Sequence, residues 1–360
     1  MGFAELDPGR LDRAFERVET SVRDGAAAYA ALAVGRSNGP VRIAAYGPAG
    51  ELGTAPRSAI ASITKPITSV AVMQLVEGGR LDLSEPVRTY LPWFDPPPAQ
   101  AGEDRDTPAA GPITTWHILT HTAGLVDAPY VKGEAELADA AAVRRFLART
   151  PLTWPPGTSY RYASESFYVL AALVDALGDD AYPVHLTRRI LGPLGMAATT
   201  FDPREPGPPS ASQGGGRPDH GPDATTLDRL VSLAMPGGGL WSTPEDVLRF
   251  GRAMLGGGTL DGVRVLGRPF VDLMTRHHTA DVWEPGSPPR RPTYGLGWGL
   301  LGRAHGLPVG ERSFGHSGAT GSLLVIDPDH DLVVVHLRDE WGATMQLTHE
   351  AVAAVYGALR

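Results

Sequence analysis

The chain has 360 residues, of which 42% are hydrophobic and 20% are charged, a composition typical of a globular protein with a large core. Its formal net charge of −8 argues against a nucleic-acid-binding protein, which would need a basic excess. It contains no cysteine, which excludes disulfides, thiolate metal sites and a cysteine nucleophile.

The N-terminal segment has no apolar stretch after a basic start, so we expect no secretory signal and a cytoplasmic protein. No apolar run reaches the roughly 18 residues needed to cross a bilayer, so we expect no membrane span. The segment does have apolar residues at helical spacing, which predicts an amphipathic helix that buries Leu11, Ala14, Phe15, Val18 and Val22.

Two strand-like runs follow, "AYAALAVG" and "VRIAAYG", and the Asn38-Gly39 pair between them predicts a hairpin. The next stretch, "SVAVMQLVEGG", predicts a helix that ends at Gly78-Gly79. Beyond it the chain is mostly helix and loop, and the Pro- and Gly-rich residues 203–226 predict a mobile surface loop.

The C-terminal part begins with "WSTPEDVLRF", where Ser242 and Glu245 predict a capping box with Pro244 in the first helical turn. The segments "YGLGWGLLG", "ERSFGHSGATG", "SLLVID" and "DLVVVHL" then predict strands. A last helix is expected from about Met345 to Leu359.

The order of these elements predicts an α/β fold, because strands occur at both ends of the chain and helices lie between them. We expect one α/β domain, a sheet with the terminal helices, to be formed by residues 1–84 and 226–360. Residues 85–225 would form an inserted, mostly helical domain.

A serine and a lysine stand three residues apart in "SITK", and Lys65 and Lys132 are the only lysines in the chain. Proline is tolerated only in the first turn of a helix, so Pro66 predicts that the helix begins near Ser62 or Ile63. The Ser62 hydroxyl would then lie one turn from Lys65 on the same face. A hydroxyl needs a base to become a nucleophile, and lysine can be that base whereas arginine cannot be deprotonated. The alternative is a capping serine followed by a solvated lysine.

Three short motifs, "SITK" (62–65), "PPGTSYRYAS" (155–164) and "FGHSGATG" (314–321), together resemble those of serine β-lactamase-type hydrolases. Within that superfamily the chain is most similar to class C β-lactamases and family VIII carboxylesterases. Supporting stretches occur in the same order: "ITTWHILTHTAGL", "PGGGLWSTPEDVLRF" and "YGLGWGL". The resemblance implies a β-lactamase/transpeptidase-like fold, an antiparallel sheet flanked by helices with an inserted mostly helical domain, and no cofactor.

The second motif is Y-x-N in that family, and here it is Tyr162-Ala163-Ser164. The resemblance implies that Tyr162 and Lys65 relay the proton, since a neighbouring ammonium favours the phenolate. The alternative is a core aromatic residue. Ser164 replaces the asparagine at a substrate-binding position, which removes an amide contact and favours esters over acylamides.

The third motif is K-T-G in many members, and here it is His316-Ser317-Gly318, which we expect to line the substrate pocket. The resemblance implies an oxyanion hole made by the backbone N–H groups of Ser62 and Ala319. Gly318 would leave room for the acyl group. A neutral imidazole at His316 holds an anion poorly at pH 7, which argues against a dedicated β-lactamase or peptidoglycan carboxypeptidase. The alternative is a hydrogen-bonded strand histidine.

Two other patterns resemble functional motifs and are rejected. "GHSGA" departs from G-x-S-x-G at Ala319 and no helix is expected directly after it, so Ser317 is not predicted to be the nucleophile. His117 and His121 have the spacing of a zinc pair, but no motif supplies a third ligand. We predict that both are structural and that the protein binds no metal.

The sequence therefore predicts a serine carboxylesterase that acts on a small-molecule ester or acyl substrate through an acyl-enzyme on Ser62. The resemblance also implies weak β-lactam hydrolysis. An acyltransferase with the same site is the first alternative, and an amidase or D-amino-acid peptidase is disfavoured by Ser164 and His316. A non-catalytic penicillin-recognising sensor is the alternative from another class. The physiological substrate and the oligomeric state stay open.

Overall fold

The computed structural model describes residues 3–99, 111–126, 139–211, 224–304 and 306–360. The strands among them are β1 (Ala30–Arg36), β2 (Gly39–Gly47), β3 (Gly50–Glu51), β4 (Ser58–Ala59), β5 (Trp241–Ser242), β6 (Thr259–Leu260), β7 (Val263–Arg264), β8 (Phe314–Ser317), β9 (Leu323–Asp327) and β10 (Leu332–Arg338).

The α-helices among the same residues are α1 (Pro8–Arg23), α2 (Thr64–Glu77), α3 (Val87–Tyr90), α4 (Thr115–Leu119), α5 (Ala140–Arg149), α6 (Phe167–Leu177), α7 (Tyr182–Leu186), α8 (Ala224–Leu233), α9 (Pro244–Leu255), α10 (Arg268–Met274) and α11 (Gln346–Tyr356). None of the helices described is both long and apolar enough to cross a membrane.

Six antiparallel strands form the main sheet in the order β3-β2-β1-β10-β9-β8. At its centre β1 pairs with β10, in register from the pair Ala30/Arg338 to the pair Gly35/Val333. The two ends of the chain thus meet in one sheet, and the helices α3 to α7 lie between them in the sequence. The predicted fold class is confirmed, whereas the division into domains at residues 84 and 226 stays a prediction.

Different helices cover the two faces of the sheet, because side chains alternate along each strand. Leu32 and Val334 pack with α1 and α11 on one face. Ala33 and Val335 belong to the core on the other face, which α9 covers. Helix α2 packs against α6 in this second core and is buried along most of its length. A polar side chain on α2 is therefore desolvated unless it reaches a pocket.

Several local predictions agree with the structure. Helix α1 buries the five predicted apolar residues, and β1 and β2 form the predicted hairpin. Helix α2 ends at Glu77, where Gly78 and Gly79 follow. Residues 212–223, within the stretch predicted to be a mobile loop, lie outside the described residues.

The predicted cap of α9 was wrong by one residue. The N-cap is Thr243, whose side chain accepts a hydrogen bond from the Asp246 N–H. Pro244 occupies the first helical position, so the cap must be the residue directly before it. Ser242 lies in β5 instead, where its hydroxyl is 2.7 Å from that of Thr199.

The segment "YGLGWGLLG" is not the regular strand that was predicted. It forms isolated bridges, one of which joins Gly299 to Gly315 of β8. Its glycines allow a tight path across α2: Gly297 has a φ of 78°, and a Cβ there would collide with Ser69. The segment thereby fastens the edge of the sheet to the helix that carries Lys65.

Candidate active site

Ser62 lies in a short 3₁₀ turn, Ala61–Ile63, that leads directly into α2. The helix thus begins where Pro66 predicts it. Ala61 has a φ of 44°, a left-handed conformation that costs a non-glycine residue on the order of 1 kcal/mol. Within the turn Ala61 and Ile63 are buried, and Ser62 between them stays partly exposed.

Lys65 is completely buried, yet hydrogen-bond acceptors surround its amino group. Its Nζ lies 3.1 Å from Ser62 Oγ, 3.1 Å from Ser164 Oγ and 2.6 Å from the Gly237 carbonyl oxygen. It also lies over the ring of Tyr162, 4.6 Å from the centroid. A neutral amine has two N–H groups and one lone pair. It can therefore donate to Ser164 and Gly237 while it accepts the Ser62 proton.

The second motif is held at its middle residue. The Ala163 N–H donates to His121 Nδ1 at 3.2 Å, and its carbonyl accepts from Ser166 Oγ at 2.7 Å. Ala163 is buried, whereas Tyr162 and Ser164 on either side of it are partly exposed and both contact Lys65. The motif thus presents two hydroxyl-bearing side chains to the same lysine.

His121 packs against the second motif and holds it in place. Because Nδ1 accepts a hydrogen bond, the ring proton is on Nε2, which is buried without a hydrogen-bond partner among the described residues. Burial, and then the positive charge of Lys65, hold the pKa of His121 well below its usual value. Its ring packs 4.5 Å from that of Tyr162. His121 therefore stays neutral and fixes the position of the second motif.

His316 is buried on β8, and hydrogen bonds occupy both of its ring nitrogens. Nδ1 donates to the Ser317 carbonyl at 2.8 Å, so Nε2 accepts from the Tyr294 hydroxyl at 2.9 Å. Burial, followed by the charge of Lys65, lowers the pKa of His316 to about 3. The residue at the position of the family's lysine is thus neutral at pH 7 and engaged within the protein. Ser317 itself is exposed at the end of the strand.

Gly318 and its neighbours bring a second chain segment against the turn of Ser62. A Cβ on Gly318 would lie 2.6 Å from the Ile60 carbonyl oxygen, so its lack of a side chain serves this close packing of backbone on backbone. Thr320 Oγ1 donates to the Ala59 carbonyl at 2.9 Å and ties the same two segments together. The backbone N–H groups proposed for the oxyanion hole therefore belong to two segments that are fastened to each other.

Sequence reasoning missed two partners in the site, Gly237 and Tyr294. Gly237 accepts the shortest of the three hydrogen bonds that Lys65 makes, and a Cβ there would lie 2.6 Å from the Ser164 carbonyl oxygen. The run "PGGG" at 236–239 was the available signal, because consecutive glycines indicate a close approach of backbone. No local pattern marks Tyr294 as the partner of His316.

The suspected zinc pair is engaged in other contacts. His117 Nδ1 lies 2.9 Å from Thr114 Oγ1 within a capping box, while His121 Nδ1 binds the second motif. In the described part of the chain no three His, Cys, Asp or Glu side chains are grouped so that they could hold a metal ion.

Comparison with known proteins gives a consistent family and fold. The Beta-lactamase family matches residues 14–355. Protein Rv1367c of Mycobacterium tuberculosis is 33% identical over 328 aligned residues, which cover 83% of this chain and 80% of that protein. A family VIII carboxylesterase superposes with a TM-score of 0.76 at 17% identity and 100% coverage of both chains. EstCE1, a hydrolase with promiscuous acyltransferase activity, gives 0.75 at 21% identity, covering 97% of this chain and 99% of its own. At these identities the two structures show the fold alone.

Proposed function

The chain belongs to the beta-lactamase family, and from this premise we propose that it is a carboxylesterase that acts through an acyl-enzyme on Ser62. One observation carries the proposal: the buried Lys65 amine lies 3.1 Å from the hydroxyl of the partly exposed Ser62. A nucleophile needs a base within about 2.6–3.2 Å, and burial favours the neutral amine that can act as one.

In the proposed mechanism Ser62 Oγ attacks the ester carbonyl while its proton passes to Lys65 Nζ. The backbone N–H groups of Ser62 and Ala319 stabilise the oxyanion, each contributing about 3 kcal/mol. Tyr162 and Lys65 share this proton before it is returned to the leaving alcohol, as the family resemblance implies. Water then enters, and the same groups act in reverse to release the acid.

Two features favour neutral esters over amides or acylated amino acids that carry a carboxylate. Ser164 stands where an asparagine would offer an amide to an acylamide substrate. His316 is neutral, and both of its nitrogens bind protein groups, so it offers no charge to a substrate carboxylate. Weak β-lactam hydrolysis would therefore be a side activity.

Transfer of the acyl group to an alcohol or amine is the second candidate. The same acyl-enzyme serves both reactions, and the similarity to EstCE1, a hydrolase with promiscuous acyltransferase activity, supports testing it. Adding a primary alcohol to an ester assay would produce a new ester if the chain transfers acyl groups.

The proposal is tested by initial rates on p-nitrophenyl esters of increasing acyl length. Ser62→Ala should lower kcat/KM by at least about 10³-fold, because it removes the nucleophile. Ser37→Ala, in the exposed turn between β1 and β2, is a matched control that should keep full activity. Turnover that survives in Ser62→Ala would overturn the site assignment. An acyl-enzyme that forms and never turns over would indicate a penicillin-recognising sensor instead.

A further inference from the structure

We propose that the hydroxyl of Ser164 is a further proton carrier, which protonates the leaving alcohol when Ser62 is acylated. This inference rests on the proposed esterase function. It concerns the one position of the second motif at which the chain departs from the family pattern Y-x-N.

The geometry places Ser164 and Ser62 in equivalent positions around Lys65. Each hydroxyl lies 3.1 Å from Nζ, and each serine is a partly exposed residue while the lysine is buried. The base therefore contacts the hydroxyls of two partly exposed residues. The hydrogen bond to the Gly237 carbonyl holds Nζ between them.

The chemistry at this position changes when an amide becomes a hydroxyl. A carboxamide donates and accepts hydrogen bonds but does not exchange a proton at neutral pH, whereas a hydroxyl can receive one proton as it gives up another. Ser164 offers such a hydroxyl oxygen 3.1 Å from Lys65 Nζ.

The proton balance of acylation then closes without any other reactant. The bond between Ser62 Oγ and the acyl carbon forms, the bond between that carbon and the leaving oxygen breaks, and the Ser62 proton goes to Lys65. Ser164 O–H gives its proton to the leaving oxygen and at the same time takes a proton from Lys65 N–H. Lys65 and Ser164 end in the protonation states in which they began.

The test compares two esters with the same acyl group, a p-nitrophenyl ester and an ethyl ester, by kcat/KM. The p-nitrophenyl group leaves as a stabilised anion and needs no acid, whereas ethanol must be protonated. In Ser164→Asn and Ser164→Ala we expect kcat/KM for the ethyl ester to fall by about 10²-fold or more. The value for the p-nitrophenyl ester should fall much less, so that the ratio of the two values shifts by about 10-fold or more. Urea unfolding shows that each variant is folded. Ser164→Thr, which keeps a hydroxyl, should restore ethyl ester cleavage.

Three outcomes would overturn the inference. Full ethyl ester activity in Ser164→Asn would show that no proton passes through this position. An equal loss on both esters would show that Ser164 only positions Lys65. Failure of the wild type to cleave either ester would contradict the proposed function and this inference with it.

Discussion

Two buried ionisable groups in this protein have equal burial and different surroundings. Lys65 and Asp327 are each 0% exposed. Two of the acceptors around Lys65 are hydroxyls of partly exposed serines. Asp327 instead accepts from the Gly310 N–H at 2.8 Å, from His330 Nδ1 at 2.8 Å and from the Tyr356 hydroxyl at 2.7 Å.

The difference shows that burial of an ionisable group does not by itself indicate a catalytic role. Asp327 ties together the segment at 310, the turn between β9 and β10 and the helix α11, which is a structural role. Burial alone would raise the pKa of its carboxyl, but the hydrogen bonds from Gly310, His330 and Tyr356 outweigh it and hold the pKa below its usual value. Two of the three acceptors at Lys65 are instead serine hydroxyls of the candidate site, and one of them belongs to the proposed nucleophile Ser62. This contrast, rather than burial, distinguishes the candidate catalytic group.

The largest effect is expected from Lys65→Arg. Arginine keeps a positive charge but cannot accept the Ser62 proton, so kcat/KM for p-nitrophenyl esters should fall by at least about 10³-fold. Lys65→Met, which keeps the length of the side chain without an amine, should lower kcat/KM by as much. If Lys65→Arg retains activity, the base has been assigned wrongly.

Two tyrosine variants should distinguish the groups around Lys65 from those around Asp327. Tyr162→Phe should lower kcat/KM for alkyl esters by about 10²-fold through loss of the proposed relay. Tyr356→Phe removes a hydrogen bond to the Asp327 carboxylate, so the free energy of unfolding should fall by about 1.5–3 kcal/mol. Its kcat/KM should not change. A catalytic defect in Tyr356→Phe would contradict the structural role assigned to Asp327.

Acid should destabilise the protein in two stages. His316 and His336 are buried, and each has a folded pKa of about 3, whereas the unfolded value is about 6.5. The unfolded chain therefore binds more protons between these values, and stability falls as pH drops from about 6.5 towards 3, by up to about 1.4 kcal/mol per pH unit for each histidine. Asp327, with its lowered pKa, contributes a further loss below its unfolded value near 3.9. Urea unfolding at pH 7 and pH 5 measures the first stage, and equal stabilities would contradict it.

The smallest effect is expected from Tyr294→Phe. His316 Nε2 loses its donor, which should cost about 1 kcal/mol of unfolding free energy. Because His316 bears no charge towards a neutral substrate, kcat/KM for p-nitrophenyl esters should stay within about 3-fold. A gain of activity on esters that carry a carboxylate would instead show that Tyr294 suppresses an anion site.

Short-range patterns were sufficient for part of the fold and of the candidate site. Pro66 located the start of α2, and the spacing of Ser62 and Lys65 placed both side chains together within one helical turn. Helical periodicity identified the buried face of α1, and the strands at both chain ends predicted the sheet. These features depend on backbone sterics and on residues within a few positions of each other, which a sequence displays directly.

Tertiary structure decided how those residues are surrounded. Gly237 reaches Lys65 from 172 residues away, Tyr294 engages His316 from 22 residues away, and Gly318 packs against the Ile60 carbonyl. Each contact depends on how separate segments pack, and no local pattern encodes which carbonyl or hydroxyl will lie opposite a given side chain. The sequence by itself therefore determined the family, the sheet and the proximity of Ser62 to Lys65. Packing decided that the histidine of the third motif is neutral and that two hydroxyls share one lysine.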